Sequence, residues 1–296
     1  METISRDPML KIMMNLDDKS LLNFCLTDKR GSQLCKNEDF WRNRLFSRFK
    51  LSLEEAKTFK KSTWKILYLN IIRYLSLANN SVNKAMELAA KEGNIKLVNF
   101  FISQGADNWN LGMRYAASGG HKDLVNFFIS KGAKDWNFGM EGAAFGGHKD
   151  LVDFFISKGG DAWNFGMYYA AIRGHKDLID FFISQGAHDW NYGMRGAALG
   201  GHKDLVDFFI SKGGDDWNIG MYYAARGGHK DLVDFFISKG ANDWNYGMYG
   251  AAKGGHKDLV DFFISKGAKD WNWGKQYAEI GGYKDLINFF MLKSKV

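Results

Sequence analysis

The stretch WNYGMRGAALGGHKDLVDFFISKGGDD, residues 190–216, decides the fold because the chain repeats it at a constant spacing of 27 residues. A tryptophan opens each copy, at positions 109, 136, 163, 190, 217, 244 and 271. An earlier, divergent copy has Val82 at the tryptophan position and Asn94 at the histidine position. The chain therefore contains eight units, numbered here 1 to 8: 82–108, 109–135, 136–162, 163–189, 190–216, 217–243, 244–270 and 271–296.

Each unit is predicted to form two short helices. In unit 2 the first helix spans roughly Gly112–Ser118, and the pair Gly119-Gly120 breaks it. The second helix starts near His121 and ends at Gly132, with large apolar residues on one side and polar residues on the other. The pattern therefore predicts an all-α repeat.

A single unit cannot fold by itself. Burial of about eight large apolar side chains contributes about 20 kcal/mol, whereas ordering a unit of this length costs about 40 kcal/mol. Neighbouring units must supply the difference, so the units are expected to stack into an α-solenoid.

A second, longer period runs through the array. The residue before Ala-Ala alternates between tyrosine and glycine, so the copied unit is a pair of 54 residues. Large and small residues at stacked positions predict that they pack together. The alternating residues are Tyr115, Gly142, Tyr169, Gly196, Tyr223, Gly250 and Tyr277.

The motif Ala116-Ala117-x-x-Gly-His-x-Asp-Leu-Val, followed by Gly132-Ala133, resembles the helix–loop–helix half of an ankyrin repeat. Ankyrin repeats have about 33 residues, and these units lack the length that forms the β-hairpin finger. Only the stretch 134–138 bridges one unit to the next in that region. The resemblance implies a stacked helical scaffold, and such short units resemble repeat arrays of large DNA viruses of protists.

Three positions in the unit change chemistry between copies and are predicted to contact a partner, because aromatic residues and arginine anchor interfaces. The first position holds Leu111, Phe138, Phe165, Tyr192, Ile219 and Tyr246. The second holds Arg114, Glu141, Tyr168, Arg195, Tyr222 and Tyr249. The third holds Ser118, Phe145, Ile172, Leu199, Arg226 and Lys253, at the end of the first helix, on the side where ankyrin arrays bind partners.

The constant polar positions are predicted to be structural. Six histidines recur at the repeat spacing, but stacked helices hold equivalent side chains about 8–10 Å apart, whereas zinc needs nitrogens at about 2.0–2.1 Å. We therefore expect the histidines to brace loops. The His-Lys-Asp triplet is no catalytic triad, because adjacent helix residues face apart. The Trp and Phe-Phe positions are predicted to form the core and the Lys and Asp positions a solvated convex face, so the sequence predicts no catalytic residue, metal or cofactor.

Residues 1–48 have no repeat relation to the rest and are predicted to form a three-helix domain. An apolar stripe follows Pro8, the residues Asp17–Ser20 form a turn and cap, and Phe40-Trp41 opens a third segment. Residues 49–81 are predicted to form a helical linker into the array.

The order of residues 12–26, IMMNLDDKSLLNFCL, followed by Leu34-Cys35 and Phe40-Trp41, resembles an F-box. The resemblance implies docking on Skp1, within a cullin-based ubiquitin ligase. In place of the Leu-Pro pair that usually opens the motif, this sequence has Ile4-Ser5. The residues that the resemblance assigns to Skp1 are Ile4, Met9, Leu10, Ile12, Met13, Leu16, Leu21, Leu22, Cys25 and Trp41.

Charge and cysteine usage limit the partners. Residues 1–81 hold 15 basic and 9 acidic residues, and the other 215 hold 25 and 24. A nearly neutral array argues against nucleic acid, since phosphate binding needs clustered Lys and Arg. No apolar run reaches membrane-spanning length, the start does not read as a signal peptide, and Cys25 and Cys35 do not make a disulfide framework. We therefore expect an intracellular, cytoplasmic protein, in the host cytoplasm if viral.

The sequence thus predicts an adaptor rather than an enzyme. The leading hypothesis is a substrate receptor of a Skp1–cullin–F-box ubiquitin ligase whose array recruits a target protein. The alternatives are a scaffold or binding array with a vestigial F-box, or a nucleic-acid-binding array that reads bases by repeat. No small-molecule substrate is expected.

Overall fold

A computed structural model describes residues 8–50 and 64–294. Within these ranges every regular element is a helix, which confirms the predicted all-α class. The helices before the repeats are α1 Pro8–Asn15, α2 Asp18–Thr27, α3 Lys29–Leu34, α4 Glu38–Phe49 and α5 Trp64–Leu77. None of the described helices is long and apolar enough to cross a membrane.

The N-terminal region has four helices over residues 8–49 where the sequence predicted three. The additional helix is α3, which forms because Asp28 follows the end of α2 and caps the next turn. Its side chain accepts a hydrogen bond from the backbone N–H of Gly31 at 2.6 Å. Asp17 caps α2 in the same way, by accepting from the N–H of Ser20 at 2.9 Å, as predicted.

A buried arginine joins the helices of this region. The guanidinium of Arg44 on α4 donates to the backbone carbonyls of Met13, Met14 and Leu16, at the end of α1, and its Nε donates to the Tyr68 hydroxyl at 2.8 Å. The last carbonyls of a helix have no partner within the helix. Arg44 satisfies them, so it fixes α1 against α4 and α5.

Helix α5 connects this region to the array, as the predicted helical linker requires, and residues 51–63 lie outside the described part. Tyr68 on α5 donates to Asp18 of α2 at 2.6 Å. At the other end, the ring of Tyr74 lies 6.2 Å from that of Phe101 in unit 1. The helix therefore contacts both sides, while the domain boundaries at 48 and 81 remain predictions.

Every repeat forms a first and a second helix. The first helices are Val82–Lys91, Trp109–Ser118, Trp136–Gly146, Trp163–Arg173, Trp190–Gly200, Trp217–Gly227, Trp244–Gly254 and Trp271–Gly281. The second helices are Ile95–Ser103, Lys122–Ser130, Lys149–Ser157, Lys176–Ser184, Lys203–Ser211, Lys230–Ser238, Lys257–Ser265 and Lys284–Lys293.

The first helices are longer than predicted. In unit 2 the helix begins at Trp109 rather than Gly112, because the Asn108 side chain caps it by accepting from the N–H of Leu111 at 3.3 Å. The tryptophan thus opens the helix instead of bridging two units. Gly132, with φ 106°, follows the end of the second helix in the left-handed conformation, as predicted.

The array core follows the predicted pattern, with one refinement. The second phenylalanine of each Phe-Phe pair, the methionine and the two alanines are fully buried in units 2 to 7. The tryptophan and the first phenylalanine of those units are half-buried at the edge of this core. The Lys–Asp pairs of the second helices are exposed, as predicted, and Lys176 lies 2.9 Å from Asp180.

Two constant polar residues join neighbouring units. The Nε2 of His202 lies 3.1 Å from the carbonyl oxygen of Ile172, in the unit before it, and His121, His175, His229 and His256 repeat this contact. The histidines therefore brace loops, as predicted. The second joint was not predicted: Asn191 Oδ1 accepts from the backbone N–H groups of Asp215 and Asp216, at 2.9 and 3.0 Å, and so holds the end of its own unit, where Asp216 caps the first helix of unit 6. The invariance of the asparagine after each tryptophan was the available signal.

Candidate protein-interaction surfaces

The three variable positions and the alternating Tyr/Gly position lie at i, i+3, i+4 and i+7 along each first helix. Residues with this spacing share one helix face. The structure therefore brings all the predicted partner-contacting residues of the array onto one surface, called here the first-helix face. The opposite side of the same helices carries the buried Gly-Met and Ala-Ala residues.

Glycine is required at alternate units because the helix backbones approach closely. A Cβ on Gly196 would lie 2.4 Å from the carbonyl oxygen of Tyr168, and one on Gly142 would lie 2.1 Å from that of Arg114. No real Cβ contact is this short, so either helix would have to move. The glycine therefore sets the spacing of its joint.

The absent side chain lets residues two units apart touch. Across Gly196, the ring of Tyr168 in unit 4 lies 6.3 Å from that of Tyr223 in unit 6. Across Gly142, the guanidinium of Arg114 lies 4.8 Å from the ring of Tyr169. The same contact recurs for Tyr222 and Tyr277 across Gly250. This contact explains the 54-residue period and supports the packing hypothesis for the alternating tyrosines.

Each of these pairs has a third member from the unit between them. Tyr168 stacks on Tyr192 at 4.7 Å, and Tyr222 stacks on Tyr246 at 4.5 Å. Three clusters result, called here clusters A, B and C. They are Arg114, Phe138 and Tyr169 in A; Tyr168, Tyr192 and Tyr223 in B; and Tyr222, Tyr246 and Tyr277 in C.

The clusters divide the predicted partner-contacting residues by exposure. Tyr168 and Tyr222 are 8% and 5% exposed and Glu141 is 6% exposed, so the structure places these three in the packing between units. Burial raises the pKa of the Glu141 carboxyl, and Arg114 beside it opposes that rise. The remaining residues of the three variable positions are half-buried, except for the exposed Phe165.

Some polar groups of the first-helix face have a close polar partner, and others do not. Arg114 lies 3.5 Å from Glu141, and the Tyr249 hydroxyl donates to Asp270 at 2.7 Å. Arg195 has only a distant contact, 3.9 Å, with Asp216, and its Nε is buried without a partner. Within the described ranges, no group of His, Cys, Asp or Glu residues is arranged to hold a metal ion.

The predicted Skp1-docking residues divide into a buried and an exposed group. Leu10, Met13, Leu21 and Trp41 are buried in the N-terminal core. Ile12 is 56% exposed, and Met9, Leu16, Leu22 and Cys25 are half-buried. Ile4 lies outside the described residues. Sequence reasoning missed Leu26, which is 84% exposed one helical turn after Leu22. Its i+4 spacing from Leu22 was the signal that could have found it.

The chain matches no protein-family model. It is similar to F-box only protein 3 of Bos taurus and of Homo sapiens, each 37% identical over 70 residues. The match covers 24% of this chain and 15% of each relative. F-box only protein 3 of Rattus norvegicus is 35% identical over 69 residues, 23% of this chain and 14% of that protein. The chain contains an F-box-like region. The name is used below for residues 8–50, where the sequence pattern predicts this region.

The cysteines of the F-box-like region are bonded to each other. Cys25 on α2 and Cys35 after α3 form a disulfide with their Cα atoms 5.8 Å apart. The structure therefore pairs the two cysteines, which were expected not to make a disulfide framework. The turn at Asp28 folds α3 back and brings the two residues together. The Trp41 indole N–H donates to the Cys35 carbonyl at 2.8 Å, which ties the bridge to α4.

Proposed function

We propose that this chain is a protein-interaction adaptor of the F-box type, without catalytic activity of its own. The likeness to F-box only protein 3 carries the proposal. The exposed apolar side chains of Ile12 and Leu26, on a region held rigid by Arg44, support it. In this role the region docks on Skp1, and the repeat array presents a target protein for ubiquitination by other subunits, inside the cell.

The array suits recruitment because it supplies a long surface of varied chemistry on a constant scaffold. The joint residues are the same in most units, whereas the first-helix face changes from unit to unit. Aromatic residues and arginine, which dominate binding energy at interfaces, are concentrated there. An array of ankyrin-like units thus offers a partner surface whose half-buried positions can vary while the constant core is kept.

Titration of the purified chain with purified Skp1 tests the proposal, both with and without dithiothreitol so that the state of the Cys25–Cys35 bridge is controlled. Ile12→Asp and Leu26→Asp are preferable to changes at Leu21, because the buried Leu21 would unfold the region when charged. Ile66→Asp is the matched control, since Ile66 is 60% exposed on α5. We expect the wild type and Ile66→Asp to bind and the other two variants to lose at least tenfold in affinity. Failure of the wild type to bind under both conditions refutes the proposal.

A further inference from the structure

The first-helix face has its greatest surplus of unpaired donors between units 4 and 8. Clusters B and C contain six tyrosines. None of their hydroxyls is hydrogen-bonded to a described residue, and none is a buried atom without a partner. These hydroxyls are therefore open to a ligand. A tyrosine hydroxyl is protonated at neutral pH and can donate, and burial raises the pKa of Tyr192 further, to about 12.

Two cations lie near the tyrosines of clusters B and C without an ion-pair partner among the described residues. Arg226 and Lys253 occupy the same position in successive units, and neither makes an ion pair with a carboxylate of the described residues. Lys253 Nζ lies 5.9 Å from the centre of the Tyr277 ring in cluster C. Burial, followed by the charge of Arg226, lowers the pKa of Lys253. A half-buried pair of like charges is unfavourable until an anion joins it.

We propose that clusters B and C, with Arg226 and Lys253, bind an acidic segment of the target protein. Carboxylates accept several hydrogen bonds and carry the charge that the two cations lack. The proposal rests on the adaptor function above, because it names the chemistry of the segment that the array recruits. Arg195, whose Nε is buried without a partner one unit before Arg226, extends the same surface.

The alternative ligand for aromatic and basic residues is single-stranded nucleic acid, whose bases stack on open ring faces. In clusters B and C the rings face each other instead: Tyr168 stacks on Tyr192 and Tyr222 on Tyr246. Because Tyr168 and Tyr222 are more than nine-tenths buried, their ring faces are not free for bases. The array is also nearly neutral, with 25 basic and 24 acidic residues over 82–296.

Selection from a random decapeptide library against the full chain tests the inference, followed by fluorescence anisotropy of the selected peptides at low and physiological salt. We expect acidic sequences to be enriched, their affinity to fall as salt rises, and a ten-nucleotide oligouridylate not to displace them. Arg226→Gln with Lys253→Gln should weaken binding at least tenfold. Tyr168→Phe with Tyr222→Phe, which removes two hydroxyls and keeps the rings, should weaken it severalfold without changing the melting temperature.

The matched control is Lys239→Gln with Lys266→Gln, which removes the same charge from the residues that cap the C-terminal ends of the second helices in the same two units. These lysines are exposed and distant in sequence from the first-helix face. Enrichment of neutral or basic peptides, equal loss in the control, or displacement by oligouridylate overturns the inference. Skp1 binding by the same protein separates the two proposals: if it persists while acidic peptides fail, only the inference is wrong.

Discussion

The F-box-like region and the repeat array are both helical, but they are held together in different ways. In the region, one buried side chain, that of Arg44, satisfies three backbone carbonyls and one hydroxyl. In the array, the same small contacts recur along the chain, such as the asparagine hydrogen bonds at the ends of units and, in five units, the histidine hydrogen bond to the unit before. The stability of the region therefore depends on one unique set of contacts, whereas the stability of the array is distributed over many equivalent contacts.

This difference indicates which part of the molecule tolerates substitution. Units that contact only their neighbours have stabilities that add along the chain, so a damaged joint should open locally. No other residue repeats the contacts of the Arg44 side chain, so its loss should affect all the helices that it joins. Substitutions at Arg44 and at the joints of the array test that contrast.

Arg44→Met should destabilise the F-box-like region by about 3–5 kcal/mol, because the carbonyls at the end of α1 lose their donor while they stay buried. Native-state hydrogen exchange should show lost protection in α1 to α4 and unchanged protection in units 3 to 8. Arg42→Met on the same helix is the control, since its side chain is 36% exposed and pairs only with Asp39. Similar effects of the two changes would contradict the role of Arg44 as a hub.

Tyr168→Ala should cost about 3 kcal/mol, because it removes the buried centre of cluster B and leaves a cavity between three units. Tyr169→Ala, at a half-buried position, should cost less, and Phe165→Ala at an exposed position should cost about 0.5 kcal/mol or less. Thermal unfolding of the three variants gives the order. An unchanged melting temperature for both tyrosine variants would contradict the explanation of the two-unit period by packing.

Gly196→Ala should destabilise its joint by about 1–2 kcal/mol, even though alanine favours helices over glycine. The new Cβ would meet a backbone carbonyl that no side-chain rotation can move. Protection from exchange should fall in units 4 and 5 and remain in units 1 and 2. A stabilised variant would show that the helices separate freely and that glycine does not set their spacing.

Asn191→Ala should cost about 1 kcal/mol, because it leaves the N–H groups of Asp215 and Asp216 to water at a partly exposed site. Asn137→Ala should give the same value, since Asn137 makes the equivalent two bonds at the end of unit 3, to the N–H groups of Asp161 and Ala162. Denaturant unfolding of both variants measures the two costs. Values that differ by more than about 0.5 kcal/mol would break the equivalence of the joints.

Much of this fold followed from the sequence because the repeat period and the glycine breaks are strong local signals. Helix geometry alone was enough to predict the stacking, the bracing histidines and the exposed Lys–Asp pairs. Cluster B was not predictable from single units, because Tyr168, Tyr192 and Tyr223 come from three of them and meet only across Gly196. Helix α3 and the Cys25–Cys35 bridge depend on how one cap at Asp28 turns the chain.

We propose that the chain binds Skp1 through its N-terminal region and a target through its first-helix face, independently. Quantitative affinity capture with three proteins tests it most directly: the wild type, Ile12→Asp with Leu26→Asp, and Arg226→Gln with Lys253→Gln. We predict that the first pair loses Skp1 and cullin but keeps binding acidic decapeptides, whereas the second pair shows the reverse. Absence of Skp1 from the wild-type capture, or its retention by Ile12→Asp with Leu26→Asp, would contradict the account.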